Sequence, residues 1–161
     1  MLWAIRLNGI MGVNKVTSRA DNVKKVMRAI SLSPTVKVGY PDETTGKQVH
    51  EDSGVTLAQL AMFHELGTEN MPPRKFMSQG AEIFERRSGL LTPHAIRFIE
   101  GRSSGRAFGT TLGKIFVGSI EAAIHRGDFP PLAESTVQAK GSDEILIDTH
   151  ELIEGLDYVV K

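Results

Sequence analysis

Residues 55–67 read Val-Thr-Leu-Ala-Gln-Leu-Ala-Met-Phe-His-Glu-Leu-Gly, and this stretch carries the clearest local instruction in the chain. Thr56 and Gln59 have capping-box spacing: the hydroxyl accepts from the amide three residues on, and the Gln side chain reaches back to the cap. Val55 and Leu60 stand where a hydrophobic staple closes over that cap. Leu57, Leu60, Ala61 and His64 share a face, and Gly67 suits a left-handed terminus. The spacing predicts a helix over residues 57–66.

Outward from this helix the pattern alternates between short strands and amphipathic helices. Residues 2–7 and 35–40 read as strands, the latter alternating as Thr-Val-Lys-Val-Gly-Tyr. Between them a helix over about residues 20–32 places Val23, Met27 and Ile30 on one face and Lys24, Lys25 and Arg28 on the other. The polar stretch 41–54, with Gly46 at its tip, offers little to bury and is expected to be mobile. Downstream, Pro72-Pro73 holds a loop extended. A helix from residue 76 into the upper 80s turns Phe76, Gly80, Ile83 and Phe84 inward. Gly89 and Thr92-Pro93 break it, and Ile96 and Ile99 fall three apart in the next segment. Residues 101–106 read as a flexible joint or a solvent loop. Over 107–126 the residues Leu112, Ile115, Phe116, Ser119, Ile120, Ala123 and Ile124 trace an apolar stripe ended by Gly127. Short pieces follow: a turn at 128–131, a helical turn at 133–139, another turn at 149–154 and a strand at 155–160. The expected class is α+β, a small antiparallel sheet packed against several helices in a single domain over residues 1–161.

The 161 residues are 40% hydrophobic and 24% charged, an ordinary globular composition. With no cysteine, disulfides, thiolate metal sites and cysteine nucleophiles are excluded together. No apolar run reaches membrane-spanning length, and Arg6 interrupts an N-terminus that lacks a basic leader, so neither a membrane span nor a signal peptide is expected. Formal net charge is zero, but it is segregated. Residues 72–126 hold 9 Lys or Arg against 4 acids, whereas residues 127–161 hold 2 against 8. Those two faces can meet within one subunit, be separately solvated, or join one copy to the next head to tail.

Catalytic patterns fail on inspection. Around Gly113-Lys114 the Walker positions hold Phe108 and Ile115. His64-Glu65 starts like a zincin helix, but its second histidine position is Thr68. Asp148-Thr149-His150-Glu151 and His50-Glu51-Asp52 bunch ligand types on neighbouring residues, which rarely converge on one ion. Glu82 and Glu85 beside Arg86 read as a salt-bridged surface. No cofactor, metal or catalytic site is expected. Arg97, Arg102 and Arg106 with Ser103 and Ser104 can touch phosphates, which keeps a small DNA-binding module as the reading from another class.

Three stretches in succession resemble one family. Residues 63–68, Phe-His-Glu-Leu-Gly-Thr, followed by Met71-Pro72-Pro73-Arg74-Lys75-Phe76-Met77, are similar to the E-F-G-T … I-P-x-R-P-F segment of tailed-phage tail completion or head–tail joining proteins. Residues 127–133, with Thr136 and Lys140, resemble that family's W-x-P-L … T … K segment. Residues 146–152, followed by 156–160, resemble its L-x-D-T-G-x-L … S-I. Lys75, Phe129 and His150 depart from the pattern. The resemblance implies a structural virion protein at the neck, built as a ring of six copies that docks the tail to the head connector. Tail tube or terminator proteins are its other partners, and DNA passes through the bore. A tail terminator or minor tail protein is the alternative position in the virion. On this resemblance Glu65, Gly67, Thr68, Phe76, Phe129, Leu132, Asp148 and Thr149 are structural. Asp148 and Thr149 are expected to cap a turn. Pro73, Arg74, Lys75, Arg102 and Arg106 are the candidates for assembly contacts, Arg74 offering its planar fork either within the subunit or across an interface.

Overall fold

Several helix starts in this chain are capped by side chains. In the computed structural model, which describes residues 18–50, 53–132, 137–138 and 151–161, Ser18 opens helix α1 (Arg19–Ser31) with a capping box. Its hydroxyl accepts from the Asp21 amide at 3.1 Å, and the Asp21 carboxylate accepts from the Ser18 amide at 3.2 Å. Helix α2 (Leu57–Leu66) opens on the expected Thr56–Gln59 box, at 3.3 and 3.0 Å for the two reciprocal bonds. Helix α3 (Phe76–Arg87) runs through a 3₁₀ turn (Ser88–Leu91) into α4 (Thr92–Ile99), whose first turn holds Pro93. Ser104 caps α5 (Gly105–Arg126), accepting from the Ala107 amide at 3.1 Å. At its far end Gly127, the residue expected to end it, takes the left-handed conformation (φ 68°, ψ 18°).

Strand β1 (Val36–Gly39) pairs antiparallel with β2 (Asp157–Val160), Val36 opposite Val160 and Gly39 opposite Asp157. A short helix α6 (Glu151–Glu154) leads into β2. Thr35 and Lys161 exchange backbone hydrogen bonds of 3.0 and 2.8 Å at the end of this ribbon. The architecture is α+β, helices packed on a small antiparallel sheet. The expected strand at residues 2–7 and most of the pieces expected over 133–150 lie outside the described residues.

The core centres on α5. Phe76, Ile120 and Ile124 are almost wholly buried, together with Ala61, Leu152 and Leu156. Glycines let backbones approach there. A Cβ on Gly80 of α3 would stand 2.6 Å from Ile120 Cγ1, and one on Gly113 would stand 2.3 Å from the Tyr158 ring of β2. Gly109, one turn earlier on the same face, leaves room for Val160 and Pro34. Phe84 stacks on Phe116 with centroids 4.5 Å apart, closing the α3–α5 contact. By length and composition α5 could cross a bilayer; here α3 and the ribbon pack against it.

Two expectations need correction. The stretch 41–50 is built rather than loose: Gly46 and Thr44 donate to the Pro41 carbonyl at 2.9 and 3.0 Å, and Thr45 Oγ1 donates to the Gly155 carbonyl at 2.6 Å. Hydrogen bonding to the backbone anchors it in place of apolar burial. The joint expected at 101–106 is shorter, because Ser104 already caps α5 and Arg106 sits in its first turn. In α4 the buried residue is Phe98, stacked on Phe108 at 5.4 Å, while Ile96 is exposed. A large ring two positions away outcompetes the aliphatic side chain for the inner face.

Candidate assembly surface

The junction between α2 and α3 holds most of the singled-out residues. Glu65, in the last turn of α2, reaches across to the start of α3. Its carboxylate accepts from the Met77 amide at 2.9 Å, from the Ser78 amide at 3.1 Å and from the Ser78 hydroxyl. Lys75 stands at the α3 cap position without capping through its side chain, so Glu65 serves as the cap from another helix. A carboxylate is favoured there because the first amides of a helix carry partial positive charge. Phe76 follows, fully buried.

Gly67 turns the chain between these helices with φ 77° and ψ 172°. This is positive φ as expected, but extended rather than left-handed helical, a combination nearly confined to glycine. A Cβ there would stand 2.9 Å from both the Met71 carbonyl and the Pro73 nitrogen. Thr68 and Met71 close the turn with paired backbone bonds of 2.9 and 3.3 Å. Pro73, Thr68 and Lys75 are exposed on its outer side.

Arg74, next to them, is only 5% exposed. Its Nη1 donates to Met71 Sδ at 3.3 Å and lies 3.4 Å from His64 Nδ1, while Nε is buried without a hydrogen-bond partner. A guanidinium has no acceptor, so Nδ1 of His64 is the unprotonated nitrogen of its ring in that contact. Burial pulls the Arg74 pKa below its ordinary value.

A second feature lies on α1. Val23, Val26, Met27 and Ile30 recur at helical spacing, yet all face outward, with Val23, Met27 and Ile30 each more than 60% exposed. The buried residue of α1 is Ala29, about 110° round the helix from the middle of that stripe. The helix therefore rests on α4 through a small side chain and presents its apolar seam away from the core. Lys24 and Arg28 flank the seam in the open. Met62, Phe63 and Leu66 form a second exposed apolar patch on α2, on the side away from buried Leu57 and Ala61. The sequence does carry a signal for this patch: α2 is apolar nearly all round, more than one buried face can use.

Charges of the basic middle are satisfied locally or left open. Arg86 lies 3.9 Å from Glu82, Arg102 pairs with Glu100, and Arg126 pairs with Asp128 at 2.7 Å. Among the described residues this last pair alone joins the basic middle to the acidic tail, across two positions of sequence. Arg97 and Arg106 are exposed, with no ion pair among the described residues. Phe129 and Leu132 are half-buried, Phe129 against the core. Asp148 and Thr149 lie outside the described residues.

Among the described residues, chemistry-bearing side chains converge little. His50 is buried, not adrift in a mobile loop. Its Nδ1 accepts from the Ser53 amide at 3.2 Å, which leaves the proton on Nε2, 3.5 Å from a Glu151 carboxylate oxygen. Among the described residues no three His, Asp or Glu side chains group as metal ligands would. A cleft of about 610 Å³ runs between the end of α1, Phe98 and the start of α5, lined by Leu32, Pro34, Ser104 and Arg106 among others. Compared with known protein families, with curated proteins and with solved structures, the chain matches none of them.

Proposed function

We propose that this chain is a structural virion protein of a tailed bacteriophage or prophage, a tail completion or head–tail joining protein. On this reading copies associate head to tail into a ring of six at the top of the tail, docking it to the head connector and leaving a bore for DNA. The reading is one of assembly rather than catalysis. Its phage identity rests on the resemblance of the three sequence stretches. The observation that carries the assembly reading is the outward apolar seam of α1. A contiguous apolar stripe left in water is what an association surface looks like before its partner arrives.

Two further observations support it. The exposed seam on α1 and the exposed patch on α2 are different surfaces, as head-to-tail contact requires. The net charges of residues 72–126 and 127–161 are +5 and −6, and their described residues pair only at Arg126–Asp128.

Sedimentation velocity across protein and salt concentration tests the proposal. The wild-type chain is expected to associate at high concentration, alone or with head-connector and tail proteins. Replacing Val23, Met27 and Ile30 together by Ser should weaken that association about tenfold or more. The variant's unfolding midpoint as a dilute subunit should stay close to wild type, because the replaced side chains are already in water. A wild-type chain that stays monomeric with every virion partner, or a variant that associates as well as wild type, counts against it. Labels on the assembled particle then distinguish the neck from a terminator or minor-component position.

A further inference from the structure

We infer that Arg74 is a receptor for a carboxylate carried by a second copy of this chain, an inference that rests on the ring reading above for its partner. The guanidinium has been taken out of water, and no described residue supplies the counter-charge that usually accompanies it. No carboxylate among the described residues lies within ion-pair distance of it. Glu65, the acid on the facing turn of α2, is committed to the amides of α3. Among the described residues Arg74 touches a thioether and one imidazole nitrogen, both neutral acceptors at long distance. An arginine stays charged even when burial opposes it, and its five donors are arranged to grip a carboxylate in two parallel bonds.

The site is also prepared for an approaching chain. Pro72 and Pro73 immediately before it are exposed and conformationally fixed, so little entropy is lost when a neighbour docks there. A second copy is taken as the carboxylate source because the acid-rich segment 127–161, 8 acids against 2 basic residues, has no described acid paired with Arg74 in its own chain. Glu154 of that region is exposed with no ion pair among the described residues.

The experiment compares wild type with Arg74→Met and Arg74→Lys. If Arg74 awaits a partner, Arg74→Met removes an uncompensated buried charge. The urea midpoint of the dilute subunit should then hold or rise, while self-association weakens about tenfold or more. Arg74→Lys, which keeps charge but loses the fork, should associate with intermediate strength. A sharp fall in the dilute Arg74→Met midpoint would place the counter-charge within the same chain and overturn the inference. So would assembly that is unchanged by Arg74→Met, which sinks this inference and leaves the ring reading standing. Loss of duplex DNA binding with assembly intact would assign Arg74 to phosphates instead. If the wild type never assembles, the ring reading and the second copy fall together. The carboxylate site is then judged by sodium acetate against sodium chloride at equal ionic strength. A midpoint rise in wild type that is absent from Arg74→Met supports the site, and no difference removes it.

Discussion

Helices α1 and α5 show the same kind of apolar periodicity and meet opposite fates. In α5 the stripe ending in Ile120, Ala123 and Ile124 is buried against α3, α6 and the β-ribbon. In α1 the stripe of Val23, Val26, Met27 and Ile30 faces solvent, and the helix is seated through Ala29. Periodicity tells which side chains share a face, but not whether a neighbour can come close enough to cover them. Around α5 close approach is possible because Gly80, Gly109 and Gly113 remove the side chains that would block it. Among the described residues no glycine brings a neighbouring backbone up to Val23, Val26, Met27 or Ile30 in this way.

The contrast can be broken most strongly at its centre. Phe76→Ala deletes a fully buried ring, and a loss of about 3–5 kcal/mol is expected in urea unfolding of the subunit. Ile30→Ser, equally drastic in polarity, should change the same measurement by no more than about 0.5 kcal/mol. Similar losses at both sites would mean that the α1 seam is covered within one chain.

A middle-sized effect is expected where α2 meets α3. Glu65→Ala removes a charged cap that spans the two helices and leaves two α3 amides without their acceptor. The expected loss is about 1–2 kcal/mol. Amide hydrogen exchange should quicken at Met77 and Ser78 while α5 keeps its protection. Uniform quickening along α5 would mean that the cap is instead part of the core's cooperative unit.

The smallest effect belongs to the ribbon. The exposed Glu43 carboxylate lies 2.7 Å from Lys161 and 2.9 Å from Lys37, bridging β1 to the residue after β2. Hydrogen bonds from Lys161 and then Lys37 hold its pKa at about 2, against an ordinary 4.5. Because the folded value is the lower one, the contribution is fully present above pH 4.5 and lost as pH falls toward 2. The acid-side difference between wild type and Glu43→Gln should therefore be small and vanish at the low end of that range. Added salt should shrink it, since the pair is in water. A difference that grows as the pH drops would contradict the assignment.

Much of the scaffold was legible residue by residue. The capping box at Thr56 and Gln59, the Gly127 terminus and the strand before Tyr40 are local matters, decided by groups within a few positions of one another. The Ser18–Asp21 box is equally local and fixes the start of α1 at Arg19. The candidate surface was much less legible. Arg74 in a Pro-Pro-Arg-Lys loop has the look of a solvent-facing fork, and its burial depends on His64 and Met71 arriving from either side of the turn. Glu65 looked like half of a metal motif, and its use became plain only when the start of α3 stood opposite it.

By itself the sequence determined where helices begin and end and which side chains share a face, because caps, glycine turns and periodicity act over short range. Only the tertiary structure decided which faces would be covered, since coverage depends on how near two backbones can come. That distance is set by residues far apart in the chain: Gly80 beneath Ile120, and Gly113 beneath Tyr158.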